Sequence, residues 1–183
     1  MDHELVLTKL IDEILGMDPT CSIFAIGSVA AGDPREDSDL DLFVYFAAEP
    51  PHFTTHITAE NRGRMRIMGY LDGIKIDIGW RLESTLPTEF PPERAVNWYP
   101  LANPRILHDP RGTVKRVLAL VHEALDRYPW IAQAWEKQLA EVKRHKLDPS
   151  CDLQFDEPGF YRHMAERVAQ RRREAGADTA RRT

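Results

Sequence analysis

The sequence predicts an α/β (α+β) domain: a small, twisted, mixed sheet with flanking helices, followed by a C-terminal helical segment. Three observations carry that expectation. Apolar residues recur at helical spacing near the start, short apolar runs follow at 21–26 and 40–46, and "RMRIMGYLDGIKIDIGWRL" is two alternating runs joined by Asp72-Gly73. An Asp-Gly pair between alternating runs is the strongest short-range hairpin signal.

Taken in order, Val6, Leu7, Leu10, Ile11, Ile14 and Leu15 place a helix over 3–16, with Gly16 as its stop. "CSIFAI" at 21–26 reads as a short buried strand, Gly27–Ala31 as a tight turn opening a short helix, and "GDPRED" as a polar loop. "LDLFVYF" at 40–46 is the next strand. A two-residue hairpin turn then fixes the pairing of the two runs around Asp72-Gly73. Ile74, Ile76, Ile78 and Trp80 share the core face with Leu71, Gly69, Ile67 and Met65; Lys75, Asp77, Gly79 and Arg81 face away with Tyr70, Met68, Arg66 and Arg64. Six prolines between 87 and 110 leave room only for short elements, with "RILHD" as an edge strand. Thr113 reads as the N-cap of a helix to Tyr128, buried along Val114, Val117, Leu118, Val121 and Leu125; a second helix covers 129–146. The tail from Met164 is helical at first and then too polar to stay packed, so it is expected to be mobile.

Bulk properties narrow the function. At 183 residues the chain suits one domain with a helical appendage, and 43% apolar residues suffice for a core. A net charge of -5 argues against a broad basic surface for nucleic acid. Cys21 and Cys151 make neither a disulfide framework nor a metal-ligand pattern, no basic and apolar leader follows Met1, and no apolar run suits a membrane span. The expected setting is the cytoplasm, away from membranes.

The chemistry lies in "FAIGSVAAGDPREDSDLDLFVYF". Strands are depleted in aspartate, yet Asp39 and Asp41 open one. At i and i+2 they point the same way, about 6.5 Å apart along an extended backbone. Asp77 lies on the polar face of its own strand. Three such acids repel one another unless a cation sits among them. A hard divalent ion such as Mg²⁺ takes carboxylate oxygens and keeps positions open for substrate phosphates, which points to phosphoryl or nucleotidyl transfer. Gly27 allows close backbone approach, and backbone N–H groups with the Ser28 hydroxyl suit phosphate oxygens. Arg66, Lys75 and Arg64 on the same face are candidate phosphate ligands.

"GSVAAGDPREDSDLDL", with ten residues between Ser28 and Asp39, followed by "IKIDIGW", resembles the nucleotidyltransferase superfamily that includes DNA polymerase beta, over roughly residues 20–82. The resemblance implies a catalytic domain over 1–110 and a helical segment over 111–183. It implies Mg²⁺ held by Asp39, Asp41 and Asp77, with Asp77 ligating the catalytic metal or taking the proton of the acceptor hydroxyl. Gly27 and Ser28 would contact the triphosphate. The expected reaction moves a nucleoside monophosphate from a nucleoside triphosphate, ATP first, to an acceptor hydroxyl. Family members that act with toxin partners often read Gly-Ser-x-Ala-Arg-Gly, and Ala31 stands here in place of that arginine. A small-molecule acceptor is therefore expected first and a protein acceptor, as in an antitoxin that modifies its toxin, second. A non-catalytic nucleotide-binding module is a third reading.

Plainer readings stand beside each residue. Asp77 would also suit a cross-strand ion pair with Lys75 or Arg66, and Ser28 a helix cap. His52 and His56 read as surface residues, His108 as a turn residue, Trp98 and Tyr99 as packing aromatics, and "RRRE" at 171–174 as a solvated helix end.

Overall fold

The computed structural model describes residues 2–32, 34, 36, 38–50, 58–63, 66–90 and 99–146, with single positions at 162, 166, 167, 169, 170 and 173. Arg64, Met65, His52, His56, Trp98, Cys151 and most of the polar tail lie outside them. The chain divides into two compact units: Met1–Thr88 with Pro100–Ala119, and Glu89–Tyr99 with Leu120–Thr183. No helix among the described residues is long and apolar enough to cross a membrane.

In the first unit, α1 (His3–Met17) begins at Asp2, whose carboxylate accepts from the Leu5 amide at 3.1 Å. Its stripe of Val6, Leu7, Leu10 and Ile14 is buried, and Ile11 and Leu15 pack at the margin. Gly16, expected as the stop, lies inside the last turn. The helix ends when Asp18 adopts an extended backbone, its amide bonded to the Ile14 carbonyl. β1 (Ser22–Ile26) leads into α2 (Gly27–Ala30), and β2 (Leu40–Phe46) follows. β3 (Thr58–Gly63), β4 (Arg66–Leu71), β5 (Ile74–Leu82) and β6 (Arg105–His108) complete the sheet.

The six strands lie in the order β3-β4-β5-β2-β1-β6. All neighbours are antiparallel except β2 and β5, which run parallel and make the sheet mixed. The hairpin register matches the sequence expectation: Leu71 faces Ile74, Ile67 faces Ile78 and Met68 faces Asp77. Asp72 and Gly73 both have positive φ, 50° and 81°, the signature of the type I′ turn that matches strand twist. β3 was not foreseen.

One sheet face makes the core. Ile23, Ala25, Leu40, Leu42, Val44, Phe46, Ile67, Ile74, Ile76, Ile78 and Trp80 are buried there with the α1 stripe. At about 1.5–3 kcal/mol for each large apolar side chain buried, this face dominates the unit's stability. The opposite face of β2 changes character along its length. Asp41 and Phe43 are half-buried, Tyr45 is fully buried, and the Phe24 ring stacks on Phe43 at 5.5 Å. Among the described residues, the Tyr45 hydroxyl finds no hydrogen-bond partner.

α3 (Thr113–Arg127) starts where expected, but Thr113 is not its cap. The Asp109 carboxylate accepts from the Val114 amide at 3.1 Å and the Lys115 amide at 3.2 Å, while the Thr113 hydroxyl donates to Glu83 at 2.7 Å. A turn with Gly112 at φ +67° puts Asp109 within reach of those amides. His108 belongs to β6 rather than a turn, and its ring Nε2 donates to the Pro19 carbonyl at 3.1 Å.

In the second unit, the later part of α3 and α4 (Pro129–Lys146) bury Val121, Ala124, Ile131 and Trp135. Tyr99 packs flat on Trp135, centroids 5.8 Å apart, so the packing reading holds for that aromatic. Arg173, the described residue of "RRRE", is helical and exposed.

Candidate active site

The site is built by register. On the face away from the core, Ile26, Asp41, Asp77 and Met68 are consecutive partners across β1, β2, β5 and β4. The next row inward is Phe24, Phe43, Gly79 and Arg66. Backbone pairing thus sets Asp41 beside Asp77, although 36 positions separate them in the sequence. Parallel neighbours lie about 4.8 Å apart, so the two carboxylates share one patch. Asp39 sits one residue before β2, on the Lys75 side of the row.

Two cations stand against these acids. Arg66 reaches out of the inner row to hold Asp77 with both ends of its fork: Nε donates to Oδ1 at 2.7 Å, and Nη2 donates to Oδ2. The pairing keeps Asp77 at 15% exposure while Arg66 remains 60% exposed. Lys75 Nζ lies 3.6 Å from Asp39 Oδ2. Of the two cross-strand pairings weighed for Asp77, the Arg66 one is present. The Asp41 carboxyl is pushed up to about 6, first by burial and then by the negative charges of Asp39 and Asp77, against the opposing pull of Lys75 and Arg66. The fields of four charged groups therefore overlap at this buried carboxylate, and the patch as a whole holds three acids against two cations.

Glycine chemistry explains two close approaches. Gly27 has φ +72°, and a Cβ built on it would lie 3.0 Å from Asp41 Oδ2. The turn and the acid are therefore in near contact, with half-buried Ser28 next in the chain. Gly79 gives the Phe43 ring its place: a Cβ there would meet ring carbons at 3.0–3.3 Å.

Oxygen-only donors short of positive charge suit a hard divalent cation, and Asp39 with Asp41 fit that role. Among the described residues, no group of three His, Cys, Asp or Glu side chains is gathered closely enough to hold a metal. The Asp77 carboxylate is turned to the Arg66 fork instead. Gly27, Ser28, Asp39, Asp41, Asp77, Arg66 and Lys75 all belong to this one end of the sheet. Arg64 lies outside the described residues.

Sequence reasoning passed over His3 and the Phe43–Gly79 contact. The signal for His3 was available: it occupies a position of the apolar α1 stripe and is 6% exposed. A histidine placed there needs a polar partner. Its Nε2 lies 2.9 Å from the Ser38 carbonyl. The Phe43–Gly79 contact follows only from a parallel pairing that no local pattern specifies.

Comparison with known proteins agrees with this geometry. No curated protein matches the chain. The family profile for the nucleotidyltransferase domain matches residues 7–98, a span from α1 past the third acid. That span covers half of the chain and holds the Gly-Ser turn, the acid pair and Asp77, so the chain belongs to the nucleotidyltransferase domain family, whose chemistry is transfer of a nucleoside monophosphate.

Proposed function

We propose that the chain is a Mg²⁺-dependent nucleotidyltransferase that moves a nucleoside monophosphate from ATP to a hydroxyl of a small-molecule acceptor, releasing pyrophosphate. The observation that carries the reading is the pairing of Asp41 with Asp77 on one face, with Gly27 against Asp41. Asp39 and Asp41 would hold the metal, which when bound neutralises phosphate charge and favours the attacking oxygen. The Gly27 backbone stands beside Asp41, and Ser28 follows it in the chain, where a triphosphate held by that metal would pass. Lys75 and the Arg66 fork are within reach of the same patch, and an arginine fork that fits a carboxylate fits phosphate oxygens equally well.

In the step itself the acceptor hydroxyl oxygen forms a bond to the α-phosphorus as the bond from that phosphorus to the pyrophosphate oxygen breaks. The hydroxyl proton passes to Asp77, whose carboxylate lies on the same sheet face and must leave the Arg66 fork to accept it. Ala31 in "GSVAAG", together with the helices after residue 113, favours a small-molecule over a protein acceptor.

The test is incubation with labelled ATP, GTP, CTP and UTP against panels of small hydroxyl compounds and proteins, with Asp41→Asn as control. Mg²⁺-dependent label transfer from ATP to a small acceptor, lost in Asp41→Asn, is the expected result. Transfer only to a co-purifying protein overturns the acceptor assignment, and equal transfer by Asp41→Asn overturns the site.

A further inference from the structure

We infer that His3 is a positioning residue for the acid pair: its ring ties the start of α1 to the backbone immediately before Asp39. The inference rests on the active-site reading above and extends it to a residue that touches no substrate.

Three buried polar side chains stand out among the described residues: His3, Ser22 and Thr113. Ser22 donates to Asp109 and Thr113 to Glu83, both at the junction of the sheet with α3. His3 alone of the three bonds to the segment that carries Asp39. It continues the stripe of Val6, Leu7, Leu10 and Ile14, where packing by itself would select an apolar side chain. A buried imidazole costs stability unless its nitrogens are bonded, so a leucine would serve the core better. What the histidine adds is one hydrogen bond across 35 sequence positions.

The chemistry of that bond is defined. A carbonyl oxygen only accepts, so Nε2 carries the proton and donates it to Ser38. Ser38 is the residue before Asp39 and two before the start of β2. Asp39 itself lies outside the ladder that fixes Asp41 against Ile26 and Asp77. The strand holds Asp41; the imidazole holds the peptide from which Asp39 projects. The anchored end has ties of its own: the first turn of α1 is capped by Asp2, and Glu4 accepts from Arg105 of the edge strand at 2.5 and 3.0 Å. Two carboxylates that bind one cation must keep their separation, and displacements near 1 Å cost about 100-fold in positioned chemistry.

The experiment compares His3→Leu, His3→Asn and His3→Gln in the full chain, reading Mn²⁺ affinity by titration, turnover with Mg²⁺-ATP, and thermal stability without metal. Leucine keeps the packing and loses the donor. The asparagine amide is one bond too short to reach Ser38, and the glutamine amide nitrogen stands where Nε2 does. The expected result is a roughly tenfold loss of Mn²⁺ affinity and turnover in the Leu and Asn variants, with recovery to within about twofold in Gln, whatever the order of their melting temperatures. If Leu fails to fold, the Asn–Gln contrast decides alone. Equal Mn²⁺ affinity in Asn, Gln and wild type, with that affinity lost in Asp41→Asn, overturns the positioning role and leaves the active-site reading standing. A wild-type chain with no Mn²⁺ affinity overturns both.

Discussion

Replacing Gly27 by alanine separates the backbone cost of the Gly-Ser turn from its role at the acids, because the chain contains its own control. Gly27 and Gly32 have nearly the same left-handed backbone, φ +72° and +73°. A Cβ at Gly27 meets Asp41 Oδ2 at 3.0 Å, whereas a Cβ at Gly32 meets nothing within 4 Å. Both substitutions incur about 1–2 kcal/mol for placing an L side chain in that region. Loss of unfolded-state freedom returns about 0.4–1 kcal/mol, leaving a net cost of about 1 kcal/mol each. For a chain of this size that is a fall of about 2–4 °C in Tm, the same for both within error. Moving a carboxylate tip adds little to the stability cost, but it must retreat by about half an ångström to restore ordinary contact. On the scale of about 100-fold per ångström, Gly27→Ala should lose roughly tenfold in turnover and Gly32→Ala less than twofold. Thermal melts and Mg²⁺-ATP turnover on the two variants check this. Equal turnover in the two, or full turnover by Gly27→Ala, would refute the contact between turn and acid as a functional one.

Three further outcomes are expected. Asp77→Asn should lower turnover by about 100-fold while Mg²⁺-ATP affinity stays within a few-fold, the pattern of an interaction made only in the transition state; near-wild-type turnover removes Asp77 from the mechanism. Asp109→Ala removes the acceptor for the Val114 and Lys115 amides and for the Ser22 hydroxyl, and should cost about 1–2 kcal/mol in denaturant unfolding, whereas Thr113→Ser, which keeps the hydroxyl to Glu83, should cost less. Burial alone would raise the Asp18 carboxyl, but hydrogen bonds from the Thr20 hydroxyl and amide and from the Ala47 amide prevail and lower it. A lowered folded-state value means stability that is present above the unfolded aspartate value of about 3.9 and lost as pH falls through the folded one. Unfolding measured from pH 6 to pH 3 should therefore show a shallower acid decline in Asp18→Asn, and superimposable curves would refute the assignment.

The parts of the fold that local chemistry determines were legible. Asp72-Gly73 set the hairpin register residue by residue, and alternation along β2 and β5 assigned both faces, so Asp41 and Asp77 were placed on one side before their strands were known to be neighbours. β3 was not legible: "TAENRG" has neither alternation nor β-branched runs, and it joins the sheet by bonding to β4 through a ladder that carries a bulge. The cap of α3 was misassigned because Thr113 has the right residue type at the helix boundary. A carboxylate four positions earlier was brought within reach by a glycine turn. At the site, residue types and spacing pointed to the acids and the Gly-Ser turn. The hairpin register also offered Arg66 as a partner for Asp77, whereas the tie from His3 to Ser38 depends on the tertiary fold, which one-dimensional spacing does not encode.

The position of β6 bears on how the domain can be cut. β1 is an almost wholly buried strand, with Ile23, Phe24 and Ala25 at 0–1% exposure, and β6 supplies its outer neighbour from residues 105–108. The family match ends at residue 98. A chain shortened to that boundary keeps every candidate site residue but turns "SIFAI" into an open, uncharged, apolar edge, the kind of surface that recruits further strands. Self-association of such a fragment follows from its topology rather than from any fault in its active site. Soluble dissection of this protein needs the cut placed beyond His108, and beyond Asp109 if the buried Ser22 hydroxyl of β1 is to keep its acceptor.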